Sequence, residues 1–559
     1  MIFKAFLVAF FDEMCYNYIM IKREKNIFSQ QQLGELTKEQ LVSLCRILQD
    51  KNTEYENQFA FLTEQINLLK SHRFGRSSEK NAPADGQISF LFNEADANAA
   101  SMKSEDDESY DETEIKGNKR KKSKGKKEID LSKYPVVRIE HKLSDEERYC
   151  ELCGKQLKIV TTEVTKRLRF IPAHFEVEEN VTYVYACSDN ACGHMKRAPQ
   201  DPALLKGSIA TASLVAAVMN GKYVNGMPLY RQEAEFKRNG LELNRNRMSY
   251  WIVRCAENYL SLMWEELKKQ FLACQYKQAD ETKVKVLHEE GRKATTNSYM
   301  WVYRTGELCN TPPVILYVYE QTRGGYHPRE FLGSSTGYLT CDAYQAYHSL
   351  EDKFTVTGCM SHCRRKFIEC LKVLPEEQHK GTIAFESKKR IEMLYKIEDM
   401  LKNKSPQERY EERLRKSKPI LDAFFAWLEP MKIESDSSSL IGKAIRYALN
   451  QRKYLEGYLV NGNIPIDNNA SERAVKPFVM GRKAWLFCNT PSGADASGII
   501  YSIVETAKAN GLHPYNYLTH LLETIPKHMD DTNLDFLQEL LPWSEALPQK
   551  CSVKKVEPQ

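Results

Sequence analysis

Four short runs rich in β-branched and aromatic residues constrain the fold of this chain more than any other feature of its sequence. The runs are Tyr299–Arg304, Val314–Tyr319, Tyr338–Cys341 and Phe354–Cys359. Runs of this length and composition, bounded by turn-forming residues, predict β-strands. Charged segments with helical periodicity flank them, and 559 residues are enough for several domains. The sequence therefore predicts a multidomain α/β protein.

Three acidic residues occupy positions where such strands could bring them together. Asp280 ends the β-rich segment Gln278–Thr282, and Asp342 follows the third run directly. Glu472 lies further along, in the helix-forming and basic segment Asp467–Pro477. Sites in open α/β sheets gather at the carboxyl ends of strands, and converging carboxylates bind hard divalent cations. The chain has 75 Asp and Glu residues, so three unrelated acids remain the alternative.

The intervals between these acids predict a helical insertion. The interval from Asp280 to Asp342 fits a three-strand meander and its return, whereas the interval from Asp342 to Glu472 is about twice as long. Between about residues 375 and 460 the sequence is charged, and apolar residues recur at three- and four-residue spacings. This periodicity predicts amphipathic helix. The recurring apolar residues are Ile391, Leu394, Ile397 and Leu401.

Five segments, in this order along the chain, carry a family resemblance. They are Ala279–Thr282, Cys341–Tyr344, Cys359–Phe367, Asp467–Pro477 and Gly481–Phe487. In these motifs the chain resembles transposases of the insertion-sequence-66 (IS66) type, over nearly all of its length after Thr37. That family belongs to the DDE transposases, whose catalytic core is ribonuclease-H-like. The resemblance implies a ribonuclease-H-like mixed-sheet core that carries the helical insertion.

The same resemblance implies the chemistry. Asp280, Asp342 and Glu472 would be the catalytic triad and would bind Mg²⁺ or Mn²⁺. Two such ions could activate a water or a 3′-hydroxyl and stabilise the leaving oxygen, as hydrolysis and strand transfer both require. The implied function is a transposase that binds the ends of its mobile element, cleaves the DNA and joins it to a target. The alternative is a zinc-containing DNA-binding regulator whose nuclease-like domain is inactive.

Basic residues around these motifs are expected to contact the DNA backbone. An ordinary solvated helix face is the alternative for each of them. Lys476 lies four residues after Glu472 and would share its helical face, and Pro477 is predicted to end that helix. Trp485 and Phe487 are more typical of a core than of base stacking. The expected DNA-binding residues are His362, Arg364, Arg365, Lys366, Arg473, Lys476, Arg482 and Lys483.

Two cysteine pairs predict a structural zinc site. Cys150 and Cys153 have the two-residue gap of a zinc knuckle. Cys187 and Cys192 follow after a β-rich stretch, but four residues separate them, so His194 is an alternative to Cys192 as the fourth ligand. Four unrelated buried cysteines are the other interpretation. A zinc-bound unit of this kind would help to hold DNA.

A heptad pattern near the amino terminus predicts self-association. Within residues 38–80, apolar residues recur every seven positions, as in a coiled-coil seam. A homodimer is expected from this seam, although an amphipathic helix packed on its own domain has the same spacing. The seam residues are Leu41, Leu48, Tyr55, Leu62 and Leu69.

The region between the cysteine pairs and the first acid is predicted to be helical. Leu229–Arg238 predicts one helix, which Gly240 would end. Met248–Phe271 predicts a second helix, capped by Asn244 or Asn246. This outline is that of a helix-turn-helix DNA-binding region with a basic rim. A plain helical hairpin that leads into the catalytic core fits the same pattern.

The predicted organisation combines these parts. It comprises an N-terminal extension (1–37), a coiled-coil helix (38–80), a disordered charged linker (81–133), a zinc-binding β unit (134–200), a helical DNA-binding region (201–271), a catalytic domain (272–525) with the insertion at about 375–460, and a C-terminal tail (526–559). The apolar run near the amino terminus is too short to cross a membrane, and Met20 is an alternative start.

The composition of the chain indicates its cellular compartment and the source of its affinity for DNA. The chain has 15 cysteines, an odd number that indicates a reducing cytoplasm and not a disulfide framework. Its formal charge is only +5, so affinity for DNA has to come from local clusters of basic residues. We expect a cytoplasmic, nucleoid-associated protein without membrane contact. The resemblance also suggests accessory proteins of the same element as partners.

Overall fold

The computed structural model describes residues 201–553, residues 175–186, 195–197 and 199, and residues 37, 38, 42, 43, 45, 46, 49 and 51. The chain forms two compact units, one of residues 1–77 with 200–559 and one of residues 78–199. In the second unit, β1 (Val184–Ala186) and β2 (Met195–Arg197) form an antiparallel hairpin in which Val184 pairs with Arg197.

Several predicted features fall outside the described residues. They are the zinc ligands Cys150, Cys153, Cys187 and Cys192 with the alternative His194, the seam residues Leu41, Leu48, Tyr55, Leu62 and Leu69, and the linker at residues 81–133. The described positions from Lys38 to Lys51 are helical and exposed. The coiled coil and the zinc geometry therefore stay predictions.

A five-stranded mixed sheet forms the centre of the larger unit. Its strands are β3 (Tyr276–Val284), β4 (Ser298–Thr305), β5 (Ile315–Glu320), β6 (Gly337–Thr340) and β7 (Phe354–Thr357), in the spatial order β5-β4-β3-β6-β7. β3, β4 and β5 form an antiparallel meander, whereas β6 runs parallel to β3 and β7 parallel to β6. The last four strands coincide with the predicted runs to within two residues.

Helices precede, interrupt and follow the sheet. Before it lie α1 (Ala212–Tyr223), α2 (Leu229–Arg238), α3 (Arg245–Cys255) and α4 (Ser261–Ala273), and a π-helical turn at Ala256–Leu260 joins α3 to α4. Between strands lie α5 (Tyr326–Leu332) and α6 (Gln345–His348). After β7 come α7 (Met360–Lys372), α8 (Ile383–Leu401), α9 (Pro406–Glu412), α10 (Lys418–Glu434), α11 (Leu440–Asn450), α12 (Arg452–Leu455), α13 (Asn469–Trp485), α14 (Pro491–Ala509) and α15 (Pro514–Thr524). In the described part of the chain, every helix is too short or too polar to cross a membrane.

The helices before the sheet begin and end where local chemistry directs. α2 has the predicted bounds, and Gly240 follows it with a φ of +83°, a conformation that favours glycine at the end of a helix. Asn244 caps α3, because its Oδ1 accepts a hydrogen bond from the Asn246 N–H over 2.7 Å. The predicted second helix is thus α3 and α4 together, joined by the π-helical turn.

Two hydrophobic cores stabilise the larger unit. The first combines the sheet with α1–α4 and α13–α15. The second lies among α7, α8, α10 and α11, the helices between the last strand and α13. Because α7 begins directly after β7 and contributes Phe367 and Leu371 to the second core, it connects the edge of the sheet with the inserted helices.

Pro477 does not end its helix, contrary to the prediction. α13 runs through it from Asn469 to Trp485. A proline inside a helix removes one N–H and so one intrahelical hydrogen bond. The helix continues because Ala474 and Phe478 are buried in the core around the sheet, where Phe478 packs near Tyr317 of β5. Tertiary packing outweighs the local cost of the proline.

Candidate functional site

β3 supplies the first acid and sets the face that it occupies. Successive side chains of a strand point to opposite faces of the sheet, so Gln278, Asp280 and Thr282 share one face. Gln278 Nε2 donates a hydrogen bond to Asn468 Oδ1 over 3.3 Å. Thr282 Oγ1 accepts one from Arg482 Nη1, also over 3.3 Å. Because Asn468 and Arg482 bracket α13, Asp280 lies on the face that this helix covers.

Asp342 follows the adjacent parallel strand. In the pairing of β3 with β6, Gln278 lies beside Thr340. Asp280 and Asp342 each come two residues after this pair, so they lie at the same level along the two strands. Asp342 is half-buried, and its Oδ1 accepts a hydrogen bond from the Tyr344 N–H over 2.9 Å. This bond fixes the carboxylate at the end of the strand.

Glu472 comes from the first turn of α13. The residue before this helix, Asn468, is fully buried, and its Nδ2 donates a hydrogen bond to the Ala279 carbonyl over 2.7 Å. The bond ties the start of α13 to β3, one residue from Asp280. The helix dipole also favours a carboxylate at this end of the helix. Glu472 therefore comes from a distant part of the chain to the part of the sheet that carries the two aspartates.

The electrostatics show that the three carboxylates interact. The pKa of Asp280 is raised well above its ordinary value, first by loss of hydration and then by the negative charge of Glu281. The charges of Asp342 and Glu472 raise the same pKa further, against a hydrogen bond from the Glu281 N–H. Neighbouring carboxylates repel one another unless a cation is bound between them. The arrangement is therefore suited to positive charge.

The available oxygens are of the type that a hard divalent cation binds, and the three carboxylates would have to move closer together to share one ion. Asp280 Oδ1 accepts a hydrogen bond from the Glu281 N–H over 2.8 Å, but in the described part of the chain no group donates to Oδ2 of Asp280 or of Asp342. Glu472 Oε1 is buried and has no hydrogen-bond partner among the same residues. Buried polar atoms without partners are rare and indicate a water or an ion. Mg²⁺ and Mn²⁺ take oxygen ligands of this kind.

A fourth carboxylate, Glu281, lies on the other face of β3. It accepts hydrogen bonds from the Tyr347 hydroxyl over 2.5 Å and from Arg323 Nε over 2.7 Å. Burial raises the pKa of Glu281, and the bond from Tyr347 opposes that rise. Sequence reasoning missed this supporting group, although Glu281 stands in the quoted Ala279–Thr282 motif. Side chains alternate between the two faces along a strand, so Glu281 could have been placed from the sequence on the face of β3 opposite Asp280.

Two basic side chains of α7 lie beside Glu472. Arg365 Nη2 is 3.1 Å from Glu472 Oε2 and forms an ion pair with it. His362 Nδ1 is 3.5 Å from Glu472 Oε1, a distance too long for a hydrogen bond. Burial lowers the pKa of His362, and the charge of Glu472 opposes this effect. Glu472 is thus oriented toward α7 in the structure.

The other expected DNA contacts have mixed surroundings. Arg364 lies over the ring of Tyr395, 5.0 Å from its centroid, and Arg473 forms an ion pair of 2.6 Å with Glu307. Arg482 is half-buried against β3. The exposed members of the set are Arg365, Lys366, Arg473, Lys476 and Lys483. The structure therefore brings His362 and Arg365 to the carboxylates and leaves the lysines at the surface.

Comparison with known proteins decides the family. The model described as "Transposase IS66 family" matches residues 207–496, more than half of the chain, and this range includes all three acids. The chain belongs to the IS66 transposase family. Further models match the IS66 C-terminal element at residues 502–543, the zinc-finger binding domain of transposase IS66 at 147–189, and the transposase C of IS166 homeodomain at 61–139.

Similar curated proteins include three uncharacterised proteins of Sinorhizobium fredii. Protein y4jD is 28% identical over 426 residues, which cover 74% of this chain and 80% of that protein. Protein y4qI is 28% identical over 505 residues, which cover 87% of this chain and 89% of that protein. Protein y4hP is 27% identical over 415 residues, with coverages of 70% and 73%.

IS66 family membership supports a zinc-binding segment in this chain. The matching zinc-finger model takes in Cys150, Cys153 and Cys187 and ends before Cys192 and His194. The match therefore supports zinc binding by the segment that contains the first three of these cysteines. It leaves the fourth ligand open between Cys192 and His194.

Proposed function

We propose that this IS66-family protein is an active transposase that binds the ends of its mobile element and catalyses metal-dependent DNA cleavage and strand transfer. Asp280, Asp342 and Glu472 are its catalytic residues in this proposal. One observation carries it, the approach of the three carboxylates to the same part of the sheet. β3 and β6 hold the aspartates at one level, α13 starts beside them, and the negative charges of Asp342 and Glu472 both raise the pKa of Asp280.

In this mechanism the protein holds the charged side chains in place around the reacting phosphate. Mg²⁺ or Mn²⁺ held by the carboxylates would supply Lewis-acid activation of the attacking oxygen and stabilise the leaving oxygen. The sheet keeps Asp280 and Asp342 rigid, and Asn468 fixes the start of α13. Arg365 pairs with Glu472 and is exposed, so it can exchange that carboxylate for a DNA phosphate. One centre can serve cleavage and joining, because both are displacements at phosphorus.

We include a ribonuclease-H-like architecture in the proposal. The support is the order β5-β4-β3-β6-β7, in which an antiparallel meander is followed by two parallel strands and β3 lies at the centre. Asp280 lies within the central strand, and Asp342 follows the end of its parallel neighbour. A mixed sheet of this order would allow the first two acids of a DDE catalytic core to lie side by side, which supports the proposal.

DNA contact is proposed for the basic residues near the carboxylates and for the helical region before the sheet. His362, Arg365 and Arg482 lie closest to the centre, and the exposed lysines of α7 and α13 extend the surface. In α2 and α3 and the turn between them, a further set of basic side chains is exposed and available to phosphates. These are Arg231, Lys237, Arg238, Arg245 and Arg247.

The remaining parts of the proposal concern assembly. Zn²⁺ would be held by Cys150, Cys153, Cys187 and either Cys192 or His194, as a closed structural site. The heptad seam would pair two chains so that two ends of the element are processed together. The proposal also includes accessory proteins of the same element as partners, and association of the protein with the nucleoid.

The test is Mg²⁺-dependent cleavage of a duplex that carries an end of the element. Asp280→Asn, Asp342→Asn and Glu472→Gln each remove an anionic ligand, so each is expected to abolish detectable cleavage while the DNA still binds. Glu290→Gln is the matched control, because Glu290 is exposed and outside the centre. Full cleavage by any one of the three variants would overturn the triad.

The same assay separates the proposal from a DNA-binding regulator with an inactive nuclease-like domain. Such a regulator would bind the end of the element and leave it intact with Mg²⁺ or Mn²⁺, in the parent protein as in the variants. Binding without cleavage by the parent protein would favour the regulator.

A further inference from the structure

A thiol, an imidazole and a carboxylate converge beside the proposed catalytic centre. One ligand atom each of Cys359, His362 and Glu472 lies within 4.8 Å of the other two. Cys359 precedes α7 and is buried, His362 lies in the first turn of α7, and Glu472 comes from α13. In the described part of the chain, only these three such side chains have ligand atoms that close together, whereas the carboxylates of Asp280, Asp342 and Glu472 lie further apart.

The polar atoms of this cluster lack ordinary partners. His362 Nδ1 and Glu472 Oε1 are both buried, face each other over 3.5 Å, and make no hydrogen bond within the described residues. Two buried polar atoms left in this way call for a bound species between them. Their separation matches the distance of about 3.5 Å between two ligands of a tetrahedral zinc ion with bonds of about 2.0–2.3 Å.

The sulfur completes a donor set for a softer cation than Mg²⁺. Cys359 Sγ accepts a hydrogen bond from the Asn468 N–H over 3.2 Å. Burial raises the pKa of this thiol and the bond only opposes that rise, so the thiolate forms when a cation displaces the proton. Thiolate and imidazole are ligands of Zn²⁺, whereas Mg²⁺ takes oxygen. With one Cys, one His and one Glu, a zinc ion would keep a fourth position for water.

We propose that Cys359, His362 and Glu472 form a Zn²⁺ site, separate from the zinc-finger segment, whose occupation withdraws Glu472 from Asp280 and Asp342. Binding releases the thiol proton to solvent. The inhibitory consequence rests on the proposed function, because it treats Glu472 as a ligand of the Mg²⁺ or Mn²⁺ centre. The existence of the zinc site does not.

Co²⁺ is the probe for the site itself, since cobalt–thiolate absorption reports a bound sulfur. Full-length protein is first given one equivalent of Zn²⁺, which its closed four-ligand zinc-finger segment binds before the open three-ligand site, and is then titrated with Co²⁺. Zn²⁺ holds such sites more tightly than Co²⁺ and stays in place. Cys359→Ser keeps an acceptor for the Asn468 N–H but removes the thiolate. Cys363→Ser is the matched control, a buried cysteine of the same helix outside the cluster.

The parent protein and Cys363→Ser are expected to gain the cobalt–thiolate absorption with one equivalent of Co²⁺. Cys359→Ser should lose it, and its affinity should fall by at least about 100-fold, the upper end of what even an outer-shell partner contributes. His362→Gln provides a second variant should Cys359→Ser not fold, and the same loss is expected. Unchanged absorption in a folded variant of either kind would overturn the site.

Displacement of Mn²⁺ tests the withdrawal of Glu472 without any activity assay. Electron paramagnetic resonance of Mn²⁺-loaded protein should show Mn²⁺ released by Zn²⁺ in the parent and in Cys363→Ser. Cys359→Ser should require about 100-fold more Zn²⁺ for the same release. Equal release from Cys359→Ser would overturn the shared ligand. A parent that binds Co²⁺ at the thiolate but never binds Mn²⁺ would remove the proposed catalytic centre and leave the zinc site standing.

Discussion

At the residue scale, Asp280 carries an unfavourable charge when no cation is bound. Its folded-state pKa is raised, mainly by loss of hydration and by neighbouring acids. The folded protein therefore holds the proton more tightly than the unfolded chain does. Consequently the free energy of unfolding falls as pH rises from the ordinary Asp pKa, about 3.9, through the raised value.

This sign gives a prediction for Asp280→Asn in protein freed of divalent cations. The amide removes the repulsion, so the Tm at neutral pH should rise, by about 1–2 °C if the gain is about 1 kcal/mol in a unit of this size. The fall of stability with increasing pH should also become shallower than in the parent. Thermal unfolding followed by tryptophan fluorescence from pH 4 to 8 measures both. A lower Tm for Asp280→Asn, with Glu290→Gln unchanged, would contradict the electrostatic account.

Sequence reasoning predicted the three acids but not the groups that hold them. Asp280 and Asp342 could be placed because each stands next to a recognisable β-type run. The Asn468 bond to Ala279 joins residues 189 apart, and the Tyr347 bond to Glu281 joins residues 66 apart. Neither bond can be predicted from the local sequence, because the two bonds form only after β3, α6 and α13 have packed together.

At the element scale, α14 approaches β5 so closely that one position admits only glycine. A Cβ on Gly498 would lie 2.8 Å from the Tyr317 carbonyl oxygen, which belongs to the backbone of β5. A backbone atom cannot turn aside as a side chain can. The helix would therefore have to move away from the strand, and the buried residues around it would lose contact.

Gly498→Ala is predicted to lower the free energy of unfolding by about 1–3 kcal/mol, as overpacking does. Gly493→Ala in the same helix is the matched control, because its Cβ would meet only Thr490 Oγ1 at 3.4 Å. Alanine at that position should be neutral or stabilising by up to about 1 kcal/mol. Urea unfolding of both variants measures the difference. Equal stabilities would mean that α14 can shift without cost.

The last four strands of the sheet were predictable from the sequence to within two residues, because each is a short apolar run between turn signals. α2 was predictable for the same reason, since its stop at Gly240 is local. The wrong expectation at Pro477 shows the limit of local rules. Proline disfavours a helix by a local mechanism, but α13 is held by its buried face, and that contribution depends on residues of β5.

At the scale of the whole molecule, the zinc-finger segment should behave as a separate metal-dependent unit. Purified protein is predicted to hold about one tightly bound Zn²⁺ per chain through it. Cys150→Ser should lose that zinc and destabilise the segment, whereas Cys45→Ser, at an exposed position, should keep it. Elemental analysis decides between them. Freshly reduced parent protein without zinc would reject the unit.

The heptad seam makes a prediction about assembly. Asp at both Leu48 and Leu62 would bury like charges between two helices, at a cost of several kcal/mol. The double variant should therefore shift from dimer to monomer in analytical ultracentrifugation. Ser43→Asp, at an exposed helical position, is expected to stay dimeric. If the double variant sediments as the parent does, the helix packs within its own chain.

The multidomain organisation was the part that the sequence could indicate only as an outline. The insertion was expected because the interval before Glu472 is too long for one connection, and that segment is helical in the structure. Its own hydrophobic core could not be derived, because periodicity shows that a helix has an apolar face but not which helix covers it. α7 begins beside the carboxylates and ends in that core. Its role as a connection could not be predicted, because it depends on the positions of both the sheet and the inserted helices.

The late position of α13 has a consequence for synthesis on the ribosome. More than a hundred residues separate the end of β7 from Glu472. At about 5–20 residues per second, translation of that stretch takes roughly 5–20 s, during which the five strands are already outside the tunnel or entering its exit. A nascent chain in this interval can form the sheet with its two aspartates but lacks the third acid. Under the proposed function, the catalytic centre therefore stays incomplete, and nearby DNA stays uncut, until α13 has been made.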